Sequence, residues 1–167
     1  MHVELIRSFY GCQLDSGQTI RLEFDACLRL VRREATVQWT EPNILIADDD
    51  RDFRESLGEV FARRGYSTRL AADGREAVQI VQNDGGLHII ILDVHMPRLS
   101  GIEALMEIRR VVAVTLPCIL MSAQLDDAIV RQAEELNTAS VLAKPFTLRA
   151  VTGTVEQILA QSYGWKM

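Results

Sequence analysis

Cysteine, basic charge and long apolar runs are all in short supply in this chain, and each shortage excludes a class of protein. The 3 cysteines, Cys12, Cys27 and Cys118, are odd in number and form no CxxC pair, so neither a disulfide framework nor a zinc site is indicated. Reduced, structural thiols are expected. Lys and Arg number 18 against 23 Asp and Glu, a formal net charge of −5. That balance argues against nucleic acid or anionic membrane as a direct partner, because both are attracted by clustered Lys and Arg. The longest apolar stretch, Val111 to Met121, is interrupted by Thr115 and Pro117 and falls short of the ~20 residues that span a bilayer. His2, Glu4 and Arg7 break up the N-terminal residues, which show no apolar core with a small-residue cleavage site. No secretory signal is read there, and the cytoplasm is the expected compartment. Flexible linkers, internal repeats and low-complexity tracts are missing too.

What is present is the composition of a folded protein, 48% hydrophobic and 25% charged over 167 residues. That length holds one domain of roughly 100–150 residues plus an extension. From Pro42 onward, β-like runs at Asn43–Ala47, Tyr66–Ala71, Leu87–Leu92, Leu116–Met121 and Ala139–Ala143 alternate with helix-period segments. Alternation of this kind builds βαβ units around a parallel sheet, and the nearly unbroken apolarity of several runs suits strands covered on both faces. The helical faces are Phe53, Leu57, Val60 and Phe61; Ala77, Ile80 and Val81; Ile102, Leu105, Met106 and Ile108; Ile129, Ala133 and Leu136; and Leu148, Val151, Val155, Ile158 and Leu159. Residues 1–41 do not share this rhythm. Thr19 to Phe24 alternates as an exposed strand does and Ala26 to Val31 has a short helix's composition, but neither carries cap or turn signals. The expected division is an extension of unknown role over 1–41, a domain over 42–162 and a C-terminal tail over 163–167.

Polar groups follow the runs in a telling order: Asp48-Asp49-Asp50 after the first, Asp93 after the third, Ser122-Ala123 after the fourth and Lys144-Pro145 after the fifth. In a parallel sheet all strand C-termini emerge along one edge, where open α/β sheets bind their ligands. These groups are therefore expected to meet. Crowded carboxylates repel one another unless a cation intervenes, and their hard oxygens suit Mg²⁺. Lys144 and Ser122 supply a compact charge and a hydroxyl of the kind wanted around phosphoryl oxygens in flight. An aspartate can itself attack the phosphorus.

In this order and spacing, Asp48-Asp49, Leu92-Asp93-Val94-His95-Met96-Pro97 with Gly101, Ser122-Ala123 and Lys144-Pro145-Phe146 resemble the receiver domains of two-component response regulators, over roughly residues 43–162. Asp73-Gly74 with Glu76-Ala77 resembles that family's entry to its second helix. The resemblance implies a doubly wound, five-stranded parallel sheet of flavodoxin-like order 2-1-3-4-5. It implies Asp93 as phosphoacceptor, with Ser122 and Lys144 on the phosphoryl oxygens. Mg²⁺ would be bound by Asp49, Asp93 and the backbone carbonyl of His95, with Asp48 acting through water. Lys144-Pro145 would be a cis peptide that helps aim the lysine. The partners implied are a histidine kinase or histidine phosphotransfer protein and an unidentified downstream protein, with a homodimer among the arrangements allowed. The expectation is a stand-alone, chemotaxis-type receiver, because after Lys144 only one helix's worth of sequence remains and no DNA-reading helix-turn-helix fits there.

Taken singly, the acidic triplet reads as a solvated helix cap, Lys144 as a surface lysine and Ser122 as a strand-end hydroxyl; only the ordered set is specific. Asp50 is expected to be such a cap, and the His95 side chain to be exposed. Two departures stand out. Val141 replaces the family's usual Tyr or Phe, so the aromatic rotamer switch is missing, and Asn137-Thr138-Ala139-Ser140 replaces the usual loop before the fifth strand. A phosphatase of the haloacid dehalogenase type uses similar groups but places its nucleophile after the first strand and its acidic pair last, opposite to the order here. A phosphate-independent, receiver-like interaction module is the other alternative, and Val141 is what favours it.

Overall fold

The structure, a computed structural model, describes residues 41–112 and 115–165. Strands and helices alternate through them: β1 Asn43–Ala47, α1 Arg51–Ala62, β2 Ser67–Ala71, α2 Gly74–Asn83, β3 Ile89–Asp93, α3 Gly101–Val111, β4 Cys118–Ser122, α4 Asp127–Glu135, β5 Ser140–Ala143 and α5 Leu148–Tyr163. The strands form one 5-stranded parallel sheet in the order β2-β1-β3-β4-β5, the doubly wound topology expected. The two segments expected within residues 1–41 lie outside the described residues, as do Cys12 and Cys27.

Strand side chains alternate between faces, and each face has its own helical cover. Ile44, Ile46, Ile89, Ile91, Ile119 and Met121 pack with Leu57 and Phe61 of α1 and Val151, Val155, Ile158 and Leu159 of α5. Leu45, Ala47, Ile90, Leu92, Cys118 and Leu120 pack with α2, α3 and α4 through Val78, Val81, Ile102, Leu105, Ile108, Ile129 and Ala133. Strands β3 and β4 are buried throughout, whereas the edge strands β2 and β5 are not. Cys118 is free and buried, and burial pushes its thiol up to about 12, away from reactivity.

Differences from the sequence expectation are local. Four strands begin one or two residues later than their apolar runs, and β3 and β4 each extend through the polar residue, Asp93 or Ser122, that follows the run. Ladder pairing sets strand ends, and Asp93 and Ser122 pair with Met121 and Ala143. Met106 and Leu148, expected on buried faces, are 42% and 55% exposed: Met106 lies at the rim of its helix's apolar stripe, and Leu148 is the first residue of α5. Tyr163 belongs to α5, which ends at Gly164 in left-handed conformation, φ 69°. Tyr163 and Trp165 pack on His88, and the Tyr163 hydroxyl donates to the His88 carbonyl at 2.8 Å.

Candidate functional site

All five helices begin at the C-terminal edge of the sheet, each with a polar cap. Asp50, Asp73, Ser100, Asp126 and Thr147 accept hydrogen bonds from the first-turn amides of α1 to α5. Asp50 is thus spent on capping, as expected. The register brings the remaining polar groups together. Ala47 pairs with Leu92, so Asp48 and Asp93, one residue further on, leave the sheet side by side. The ladder continues past the strands, with Asp48 N–H donating to the Ala71 carbonyl at 3.2 Å, Val94 N–H to Met121 at 2.8 Å and Lys144 N–H to Ser122 at 2.7 Å.

Lys144 is the hub. Its Nζ lies 2.6 Å from Asp48 Oδ2 and 2.6 Å from Asp93 Oδ1, and 4.6 Å from the centre of the Phe53 ring. Phe146 meets Phe53 edge to face at 5.9 Å, so an aromatic wall backs the ammonium. The Lys144-Pro145 bond is cis. Asp48 and Asp93 are 1% and 4% exposed. Desolvation by burial raises the Asp48 carboxyl above the ordinary carboxylate range, with the hydrogen bonds from Lys144 and the Asp50 amide offsetting it only in part. Burial alone would lower the Lys144 ammonium, but the two carboxylates outweigh it and hold it above the ordinary lysine range. The second oxygen of each carboxylate is held by backbone: Asp50 N–H donates to Asp48 Oδ1 at 2.9 Å and His95 N–H to Asp93 Oδ2 at 2.7 Å. The Arg54 guanidinium donates to the Asp48 carbonyl.

The other expected residues stand at the same edge in different roles. Asp49 is exposed and the His95 side chain is exposed. Ser122 is fully buried, and its hydroxyl is engaged within its own loop, donating to the Gln124 carbonyl at 2.7 Å and accepting from the Gln124 amide at 3.1 Å. Gly101 is dictated by the close approach of the β3 end, since a Cβ there would stand 2.2 Å from the Asp93 carbonyl oxygen. Among the described residues no three His, Cys, Asp or Glu side chains cluster as a metal site. Mg²⁺ needs fewer, because it keeps several waters and uses one or two carboxylates. Asp48 and Asp93, both buried with an oxygen each on the Lys144 ammonium, are hard-oxygen donors of that kind.

Three contributors are hidden in the sequence. Phe53 reads as part of a buried helical face, yet its ring faces Lys144. Asp73, 5% exposed at its side chain, pairs with Arg98 across 25 residues of chain; the Asp-Gly step marks a helix entry but says nothing of the arginine. Arg54 carries no signal beyond its charge.

Comparison with known proteins points to one family. The family model for the response regulator receiver domain matches residues 44–156. Response regulator RR06 of Streptococcus pneumoniae is 33% identical over 121 residues, covering 72% of this chain and 54% of the relative. Response regulator MprA of Mycolicibacterium vanbaalenii is 35% identical over 121 residues, covering 71% and 51%. The chain thus spans about half the length of the curated relatives it matches. A solved structure of the CheX-CheY-BeF3-Mg²⁺ complex from Borrelia burgdorferi superposes with a TM-score of 0.66 at 28% identity, over 71% of this chain and 89% of that one. With its sheet order, its strand-end carboxylates gathered on one lysine and a family match that covers most of the described residues, this chain belongs to the response regulator receiver domain family.

Proposed function

We propose that Asp93 accepts a phosphoryl group from the phosphohistidine of a histidine kinase or phosphotransfer protein, in a Mg²⁺-dependent reaction. One observation carries this reading: Lys144 Nζ sits 2.6 Å from both Asp48 and Asp93, so nucleophile, acidic neighbour and fixed cation are preassembled. One Asp93 oxygen forms the new bond to phosphorus as the bond from phosphorus to the donor imidazole nitrogen breaks, leaving the electron pair on that nitrogen. Lys144 is placed to follow the charge onto the phosphoryl oxygens, and the His95 amide to hold the carboxylate in line. Ser122 reaches them by giving up its bond to Gln124. Mg²⁺, held by Asp49, Asp93 and the His95 carbonyl with Asp48 behind water, would neutralise charge shared by nucleophile and phosphoryl group.

The complex of the Borrelia burgdorferi neighbour contains Mg²⁺ and BeF3, a phosphoryl stand-in, which supports the same chemistry here. The chain acts as a signalling phosphoacceptor rather than as an enzyme with turnover on a separate substrate, and its output is altered binding to a partner protein. Val141, half-buried against the α2–α4 side of the core, offers no ring for the usual switch and favours a readout through the loop after Ser122. Acetyl phosphate with Mg²⁺ is expected to add one phosphoryl group by intact-mass measurement, and chelation of the metal to prevent it. Incorporation that ignores the chelator contradicts the proposal.

A further inference from the structure

Asp73 and Arg98 lie outside the residues assigned above, yet they grip the loop that follows the acceptor. One oxygen of the buried Asp73 caps α2, accepting from the Glu76 amide at 2.9 Å, and the other accepts from the Arg98 guanidinium. Arg98 belongs to the β3–α3 loop and has a backbone φ of 67°. Across it, Leu99 N–H donates to the Pro97 carbonyl at 2.7 Å. A bond from i+2 to i around a residue of positive φ is the rare, strained form of the γ-turn, and a side chain like arginine's is poorly suited to that region. Such strain persists only where the surroundings over-determine it. Here they are the ion pair with Asp73 and the seat of the Leu99 carbonyl against Gly74, where a Cβ would stand 2.3 Å from that oxygen.

The loop is also closed at its base, with Gly101 N–H donating to the Val94 carbonyl at 3.1 Å. Pinned there and at Arg98, it leaves His95 little freedom between. We infer that Arg98 is a positioning residue: its ion pair with Asp73 holds the β3–α3 loop in the strained turn that fixes the His95 backbone beside Asp93. Arg98 acts through His95, not on the phosphoryl group, and this role rests on the reading of Asp93 as acceptor.

Three substitutions in the full chain test it. Asp73→Asn keeps an oxygen to cap α2 while removing the charge; Arg98→Gly removes the guanidinium and suits the positive φ; Arg98→Lys keeps the charge. Because 61% of the Arg98 side chain is exposed, the pair adds little to global stability, so the effect should be confined to the loop. Without metal, amide exchange over residues 94–100 is expected to accelerate in Asp73→Asn and Arg98→Gly while the strands keep wild-type protection. Mg²⁺ affinity, read from thermal shift, should fall about tenfold in each, as when an outer partner of a metal ligand is lost. The double variant should be no worse than either single, and Arg98→Lys should recover part of the loss. Wild-type exchange in the loop, additive losses in the double variant, or uniformly faster exchange with a general loss of stability would each overturn the inference. A wild-type chain that neither binds Mg²⁺ nor takes phosphate from acetyl phosphate would overturn the acceptor reading instead; the metal-free exchange still decides whether the tether fixes the loop.

Discussion

Lys144 offsets the charge of two buried carboxylates, and its removal leaves them facing each other. Lys144→Gln is therefore expected to lower metal-free stability by about 2–3 kcal/mol, below the ~3–5 kcal/mol typical of breaking a fully buried pair because 22% of the Lys144 side chain stays exposed. Mg²⁺ should restore part of that loss, by adding positive charge beside the two carboxylates. Chemical denaturation with and without the metal checks both statements, and a variant as stable as wild type without metal would show that solvent already screens the pair. His88 gives a pH signature elsewhere in the molecule. Its Nδ1 accepts the Asn43 amide at 3.1 Å, so the native ring is neutral at that nitrogen, and burial holds its pKa below the ordinary value of 6.5. A histidine lowered on folding contributes stability that is intact above 6.5 and is lost as pH falls from there through the folded value, since the unfolded state binds the proton first. Melting curves of wild type and His88→Gln between pH 8 and pH 5, about the range in which histidine titrates, should diverge in that direction only. Parallel curves would show that His88 titrates alike in both states. Asp93 and Lys144 were legible in the sequence because each follows a strand-like run, and topology alone then brings them to one edge. The Arg98–Asp73 pair was not, because it depends on the conformation of two loops that no periodicity describes.

Among elements, the strands were the most legible, because runs buried on both faces are nearly all apolar and β3 and β4 are buried at every position. Rims were the least legible: an apolar period says which face turns inward, not how far its cover extends, and Met106 and Leu148 fall outside that cover. The start of α3 joins element to site. Gly101 opens that helix with its Cα against the Asp93 carbonyl, and Gly101→Ala forces a carbon to within 2.2 Å of backbone oxygen. A loss of about 3 kcal/mol is expected, at the upper end for overpacking, together with weaker phosphoryl acceptance. Urea denaturation measures the first, and an alanine tolerated at no cost would mean that the loop yields freely. The β4–α4 connection is the other junction of element and site. On the proposed reading Ser122 leaves Gln124 to reach a phosphoryl oxygen, which would free the turn ahead of α4. Hydrogen exchange is expected to change on phosphorylation mainly over residues 122–129, with little at Val141. A response centred on β5 would place the readout in the strand instead.

At the scale of the described residues as a whole, one sheet sets both stability and site. Its two cores are made by alternate residues of the same strands, and the ends of those strands deliver Asp48, Asp93, Ser122 and Lys144 to one edge. No helix among the described residues is long and apolar enough to cross a membrane. Asp48 and Asp49 follow β1 and Asp93 ends β3 at that same edge, so the identity of the carboxylate that takes the phosphoryl group decides the chemistry. After treatment with acetyl phosphate and Mg²⁺, borohydride reduction converts an aspartyl phosphate to homoserine, and peptide mass spectrometry locates it. Homoserine at position 93 alone, and none in Asp93→Asn, is the result expected; homoserine at position 48 or 49, or modification that survives in Asp93→Asn, would contradict it.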